Sequence, residues 1–470
     1  MVACWVIVPA FILARKLFMT NATQVLLSGL HDILDQPLSA DIKQAARLRI
    51  VDYLGCTLAG AQMERTRMGR LIAASQDGTG PARFIGMGCS GAPQLAAMVN
   101  GTNAHVAELD DGNRFGMVHP GAPVISAVLA QAQAANLSDD DVLMGVVVGY
   151  EAAIRVARAI QPFAKDNGLH ATGVCGAIGA AVGVAAALRL DADGVNAALS
   201  GGATAASGLL KVIRGTSQLK PFNSGHAAQA GLSAALMAQA GFLGPVDVLD
   251  GVHGYLHVMT GDPDISADAL ASTGVPCIAD VYLKPYASCR HCHAPVEAAL
   301  ALSAAHNLSP SDIASVSVNT HRMAVHLHDH TDITGVHSAK MSVNYCVAAA
   351  LITGQSGMAA FTQDVVADPD VLDLTRRVAV HADPELTALV PKKRAAIVDI
   401  HRHDGTVLNA RIDLPKGEPE TALTLSEIKE KFLDLARYGG VDDARAKAVF
   451  ADIADPSGAG DTLTTTVAQL

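Results

Sequence analysis

Between Ala104 and Leu129 the chain reads AHVAELDDGNRFGMVHPGAPVISAVL, which gathers His105, Glu108, Asp110, Asp111, Arg114 and His119 into a short stretch of an otherwise apolar, alanine-rich sequence. Residues of these types suit proton transfer beside an anion: a histidine and carboxylates move or orient protons, and an arginine holds negative charge. The stretch opens with a helical pattern, breaks at Gly112, Gly116, Pro120 and Gly121, and turns apolar again. Breaks of this kind in a rigid scaffold are where binding and catalytic groups concentrate. A solvated acidic loop would account for Asp110 and Asp111, but not for a histidine followed at once by Pro-Gly and an apolar helix.

Further candidates lie downstream. His170 follows Gly168-Leu169 at the start of a glycine-spaced helix, where the helix dipole disfavours an imidazolium and favours a bound anion; a capping histidine is the plain alternative. Lys220 opens an uncharged region, SQLKPFNSGHAAQAG, and suits a substrate carboxylate, or is simply a solvated loop lysine. The segment KPYASCRHCHAPVEAAL holds Cys289, Arg290, His291, Cys292 and His293. Its Cys-x-x-Cys could ligate zinc or an iron–sulfur cluster, but a second ligand pair is missing nearby, with only Cys277 close in sequence. Arg290 with an adjacent histidine reads better as an anion clamp and acid/base. His321, His326, His328, His330 and His337 are spaced irregularly, as expected of a mobile surface segment, and Lys340 and Tyr345 open the helix that follows.

The elements that must position these groups fall into two styles. From about residue 20 to 270 the pattern is nearly all helix. Ser39 to Gly60 is amphipathic with a glycine stop, and Ser138 precedes three aspartates and a long apolar helix to Ile160. Gly173, Gly176, Gly179 and Gly183 recur about one turn apart; without a G-x-G core or a preceding strand they predict close helix packing rather than a nucleotide loop. Near Val275 the character changes. Ala314–Thr320 and Arg377–His381 alternate like strands, and Ala395–His401 and Thr406–Leu414 flank Asp404-Gly405, a hairpin signal. Ala298–His306 and Ser342–Leu351 read as helices, and Thr424 with Glu427 forms a capping box. The expected fold is mainly α: a large all-helical domain (19–274), a smaller α/β lid domain (275–415), and C-terminal helices (416–470) packing back on the first domain.

Composition narrows the partners. The 470 residues are 50% hydrophobic, 17% charged and 4% aromatic, with 42 glycines and a net charge of -11. That balance argues against nucleic acid and against an anionic membrane surface, so an acidic substrate needs a local basic pocket. Eight scattered cysteines, mostly in apolar stretches, fit a reducing cytoplasm. Val2–Ala14 is an apolar run followed by Arg15 and Lys16, shorter than the ~18–20 residues of a spanning helix and with the charge order of a secretory signal reversed. Residues 1–18 are expected to be an extension outside the fold, with Met19 as an alternative start and a weak membrane anchor as the rival reading.

In order along the chain, IVDYLGCTLAG, the NG…AH…LDDG…HPGAPV segment, GYEAAIRVA, GLHATGVCGAIGAA, LKPFNSGHAAQAGLSAALMAQAGFLGP, CRHCHAPVEAAL and AKMSVNYCVAAALITG resemble the MmgE/PrpD family. That family includes 2-methylcitrate dehydratase, cis-aconitate decarboxylase and iminodisuccinate epimerase. The resemblance runs from about Asp41 to the final helix. It implies a helical main domain, a smaller α/β lid, a homodimer, and neither metal nor organic cofactor. By position it implies His119, His170, Lys220 and His293 as catalytic residues, with Asp110 and Asp111 beside them. Arg114, Arg290, His291 and Lys340 complete the expected substrate-binding set. The chain departs from dehydratase and decarboxylase members in lacking a threonine after the paired aspartates and in carrying Arg114. The expected function is a lyase that dehydrates a small hydroxy di- or tricarboxylate. Lys220 and Arg290 would hold the carboxylate and enediolate charge, and His119 and His170 would share the proton work. Epimerisation and decarboxylation are the enzyme alternatives, followed by a metal-dependent hydratase and by a silent acid-binding protein.

Overall fold

Glycine and alanine at one-turn spacing let helices approach to backbone contact, and the helical half of the molecule is built on that. The structure is a computed structural model describing residues 21–470 apart from 77, 214–216, 263–264 and 455–462, so the expectations for residues 1–18 lie outside the described residues. Its helices run α1 (Ala22–Leu34), α2 (Ala40–Met63), α3 (Arg65–Ala74), α4 (Pro93–Val106), α5 (Gly121–Ala135), α6 (Asp139–Ile160), α7 (Ala171–Ala187), α8 (Ala192–Thr204) and α9 (Lys220–Gln239). Every residue of α7 is buried, as suits a helix that is apolar all round. Helices α5, α6, α8 and α9 surround it. A Cβ at Gly179 would lie 2.7 Å from the Gly149 carbonyl oxygen, and one at Gly183 would lie 2.7 Å from that of Gly145. The glycine spacing is therefore a packing device between α6 and α7, as the pattern predicts.

The caps read from sequence are present. Ser39 and Ser138 accept hydrogen bonds from the backbone N–H of Ile42 and Asp141, and Asp139–Asp141 place negative charge at the positive end of α6. Two expectations in this half are corrected. Gly60 does not end α2, which continues to Met63; there the α2 backbone presses on Asn103 of α4, leaving no room for a side chain. The region is also not purely helical: β1 (Ala82–Phe84) and β2 (Cys89–Gly91) form a small antiparallel hairpin. Asn100 of α4 pins it by donating to the Arg83 carbonyl and accepting from the Ile85 N–H. Strands this short carry no readable alternation.

The smaller half is α/β. Helix α10 (His293–His306) packs on a four-stranded sheet of order β4-β3-β5-β6, where β3 is Ile313–Thr320, β4 Val378–Ala382, β5 Ala396–Arg402 and β6 Val407–Ile412. Strand β3 pairs parallel with β4 (Val316 opposite Val378) and antiparallel with β5, and β5 and β6 make the hairpin read from Asp404-Gly405. Helix α11 (Val343–Thr353) completes the core with α10. Helix α12 (Leu425–Tyr438) opens on the Thr424–Glu427 capping box and packs on α2. Helix α10 begins five residues earlier than its apolar pattern, because His293 is already buried in its first turn. Among the described residues no helix is long and apolar enough to cross a membrane.

Candidate active site

The segment after α4 is held by its own side chains. His105, in the last turn of α4 and fully buried, pairs through Nδ1 with Asp110 Oδ2 at 2.6 Å. Glu108 sits at φ 56°, a left-handed conformation that a long side chain adopts at a cost of about 1 kcal/mol or more. Asp111 ties the start of α5: Oδ1 accepts from the Gly121 N–H at 3.0 Å and Oδ2 from the Tyr150 hydroxyl at 2.7 Å. Burial pushes the Asp111 carboxyl up to about 7, against those hydrogen bonds. Gly112 exchanges both backbone hydrogen bonds with Tyr282, which anchors the loop to the chain entering the smaller half.

His119 ends this segment. Its Nδ1–H donates to the Asp111 carbonyl at 2.5 Å, with Asp110 Oδ2 behind it at 3.6 Å. A carbonyl can only accept, so the proton is on Nδ1 and Nε2 is left as a lone-pair acceptor. Burial, against the pull of Asp110, holds the His119 imidazole well below its usual value, so it is neutral near pH 7. His170 is wired the opposite way. It occupies the N-cap position of α7 without a side-chain capping bond, so it is not a capping histidine. Its Nδ1 accepts from the Asn223 amide at 3.1 Å, and that amide also donates to the Leu209 carbonyl at 3.3 Å, which fixes its orientation. His170 therefore carries its proton on Nε2, and burial followed by Lys220 holds it neutral too. One histidine accepts and the other donates.

Two lysines bracket Glu108. Lys220, the first residue of α9, is ion-paired to Glu108 Oε1. Lys284 is fully buried, with Nζ 3.2 Å from the Glu108 carbonyl, 3.5 Å from Glu108 Oε2 and 3.6 Å from Asp110 Oδ1. Burial alone would raise the Glu108 carboxyl, but Lys220 and Lys284 outweigh it and hold Glu108 below the ordinary carboxylate range. The carboxylate holds both lysines in position.

These groups face a cleft between the two halves. Its lining includes His119, His170, Lys165 and Lys220 from the helical half, and Arg290, His291, His328, Cys289 and Arg394 from the smaller half, with Tyr282 between. Among the described residues no aspartate or glutamate lines it, although the chain carries a net charge of -11. A cleft whose surface carries cations and hydrogen-bonding imidazoles, with the Glu108 and Glu418 partners of Lys220 and Arg290 set behind it, is an anion site in an otherwise acidic protein.

The structure thus brings His119, His170, Lys220, Arg290 and His291 to one cleft, with Asp110 behind His119. The other expected site residues sit elsewhere. His293 is fully buried, bonded to Arg290 and to the Ser288 carbonyl, and does not line the cleft. Arg114 is ion-paired with Glu418 and Glu420. Asp111 is committed to α5, and Lys340 donates to the Ala107 carbonyl at 2.7 Å. Arg290 lines the cleft, yet Glu418 and the Lys416 and Pro415 carbonyls occupy most of its donors. The surface expectation for the histidine segment is corrected at two positions: His321 and His328 are 1% and 4% exposed, packed against His291, whereas His326 is exposed and His330 and His337 are half-buried. Tyr345 is a core residue bonded to the Ala360 carbonyl.

Sequence reasoning missed Lys284, Lys165 and Arg394, and it read Cys289 as a possible metal ligand and His328 as a surface residue. Lys284 had a signal: Leu219-Lys220-Pro221-Phe222 recurs as Leu283-Lys284-Pro285-Tyr286, and both lysines reach Glu108. Among the described residues two clusters bring donor atoms within 4.8 Å of one another, His105–Asp110–His119 and Cys289–His291–His328. Hydrogen bonds already use the Nδ1 atoms of the first. In the second, the Lys165 ammonium lies 3.5 Å from His291 Nε2, which opposes a cation. The Cys-x-x-Cys pair is not a ligand pair, because Cys292 turns into the core beside Cys346.

Residues 30–268 match the model of the MmgE/PrpD N-terminal domain and residues 286–455 that of the MmgE/PrpD C-terminal domain. Among curated proteins, the chain is 28% identical over 442 residues to a cis-aconitate decarboxylase of Aspergillus terreus, covering 88% of each chain. It is 23% identical over 434 residues to the human cis-aconitate decarboxylase, again covering 88% of both. The mouse cis-aconitate decarboxylase is 24% identical over 352 residues, 72% of this chain and 71% of its own.

Proposed function

The chain belongs to the MmgE/PrpD family, and we propose that within it the protein is a lyase for a small di- or tricarboxylate. The observation that carries this reading is the cleft, lined by Lys165, Lys220, Arg290, Arg394 and histidines but by no carboxylate. The substrate carboxylates meet Lys220, Lys165 and Arg394. His119 Nε2, neutral and unprotonated, removes a proton from the carbon next to a carboxylate. The charge that develops on the carboxylate oxygens is met by the Lys220 ammonium and the His170 Nε2–H, both fixed before the reaction begins. A hydroxyl on the neighbouring carbon then leaves as water with the proton His119 has gained. Asp110, through its contacts with His105 and His119, positions the base.

This route is dehydration, and it is supported by a neutral His119 whose Nε2 is free to take a proton, beside a His170 whose Nε2–H steadies the charge. Decarboxylation of cis-aconitate is the second reading, favoured by the names of relatives that cover most of the chain. It also passes through a carbanion beside a carboxylate, reached by losing carbon dioxide instead of a proton, and that carbanion then takes a proton from the His170 Nε2–H.

The experiment is proton NMR of the purified protein in D2O with 2-methylcitrate, citrate, cis-aconitate, malate and iminodisuccinate. New olefinic signals from a hydroxy acid are the expected result. Loss of carbon dioxide from cis-aconitate would establish the second reading. Deuterium entering with inversion and no olefin would make the protein an epimerase, and no change across the panel would overturn the lyase reading.

A further inference from the structure

The smaller half of the cleft holds a second reactive pair that the lyase mechanism does not use. Cys289 Sγ lies 3.8 Å from His328 Nε2. His328 Nδ1–H donates to the Met341 carbonyl at 2.8 Å, so Nε2 presents its lone pair to the thiol. Both backbones are pinned: the Cys289 N–H donates to the Lys340 carbonyl and the His328 carbonyl accepts from the Val343 N–H, each at 2.9 Å. Beside them lies His291, its ring 5.2 Å from that of His328 and its buried Nδ1 without a hydrogen-bond partner. A thiol held against an imidazole whose far nitrogen is anchored to a carbonyl is the arrangement that activates a nucleophilic cysteine.

We propose that Cys289 and His328 form a nucleophilic thiol–imidazole pair, in which His328 Nε2 takes the thiol proton as the sulfur attacks, and that the cleft is a covalent site for small carbon electrophiles bearing a carboxylate. The cations of the cleft hold the carboxylate while the sulfur attacks. With iodoacetate, Sγ forms a bond to the methylene carbon and the carbon–iodine pair leaves as iodide. With an α,β-unsaturated acid, Sγ bonds to the β-carbon, the π pair moves to the α-carbon, and that carbon takes the proton from His328 Nε2. That unsaturated acids are what the cleft meets rests on the lyase reading; the haloacetate chemistry does not, so the two can fail separately.

The electrostatic surroundings agree. Burial pushes the Cys289 thiol up, but His328 and then Lys220 outweigh it against Glu108 and bring it down to about 6. Lys165 and Lys284 also face the sulfur. Cys292, three residues on, is instead pushed well above the ordinary thiol value by Cys346 and by burial.

The test is peptide-resolved mass spectrometry of the whole protein after brief exposure to iodoacetate or iodoacetamide between pH 5 and 9. Labelling of Cys289 should rise through about pH 6. Iodoacetate should outpace the neutral amide at this cysteine, reversing their order in the denatured chain, and the unreactive tricarboxylate tricarballylate should protect it. His328→Asn should slow labelling at pH 6 by roughly tenfold or more. A Cys289 that labels only through the ordinary thiol range near about pH 8.5 overturns the proposal. So does one that prefers the amide, or one masked by a metal until a chelator is added. The wild-type profile decides the matter even if the variant does not fold.

Discussion

The two halves of the cleft carry similar residues in opposite states. In the helical half, His105 (through Nδ1), His119, His170 and Lys220, with Lys284 reaching in from the segment that joins the halves, are each held by a hydrogen bond or ion pair. In the smaller half, both nitrogens of His321 and Nδ1 of His291 are buried without a hydrogen-bond partner, and Cys289 sits at a shifted value near about 6, with Lys165 facing it from the helical half at about 8. A wired group has one protonation state and one orientation and suits a defined proton transfer. A loosely held, shifted group suits a response to what binds. The difference separates the groups assigned to the reaction from those that sense or capture its ligands.

The comparison breaks first at its most tightly wired point. Lys284→Met leaves Glu108 and Asp110 buried beside one another with a cation removed, and should cost about 3–5 kcal/mol in urea denaturation. A loss under about 1 kcal/mol would mean that the carboxylates do not depend on it. Next, His119→Ala should lower kcat/KM by roughly a hundredfold or more, while His291→Ala stays within roughly tenfold. Equal losses would erase the distinction between the halves.

Charge on Lys165, which reaches from the helical half to His291 of the looser one, sharpens it further. Burial, with Arg394 adding to it, brings Lys165 down to about 8, so the lysine sheds its proton as pH rises through that value. With one cation fewer, the KM for a polycarboxylate should rise above pH 8, and Lys165→Met should remove that step. His119 is held well below its usual value, so the basic form predominates at pH 6.5 and above, and the acid limb of kcat/KM should lie below that pH. The smallest effect is expected at His321. Replacing a buried ring that makes no hydrogen bond by leucine should leave stability within about 1 kcal/mol or raise it.

What was legible in the sequence follows the range of the interactions. The capping of α6 and α12, the glycine packing of α7 and the β5–β6 hairpin are set by neighbours a few residues apart, and their signals were plain. His119 and His170 were legible because each stands at a helix start, where a break in pattern marks it. Their opposite tautomers were not, since His170 takes its orientation from Asn223, 53 positions away. His328 read as a surface residue because irregular spacing carries no sign of burial; only the return of the chain onto Met341 and Cys289 encloses it. Arg114 and Arg290 read as anion clamps because their shared partner, Glu418, lies 304 and 128 positions away.

The central claim is that His119 takes a proton from substrate carbon while His170 donates a hydrogen bond. It is tested most directly by following solvent deuterium into the substrate C–H position with the wild type, His119→Ala and His170→Ala. The account predicts exchange with the wild type, none above background with His119→Ala, and slowed but measurable exchange with His170→Ala. Exchange that survives in His119→Ala at the wild-type rate, or that disappears only in His170→Ala, would contradict it.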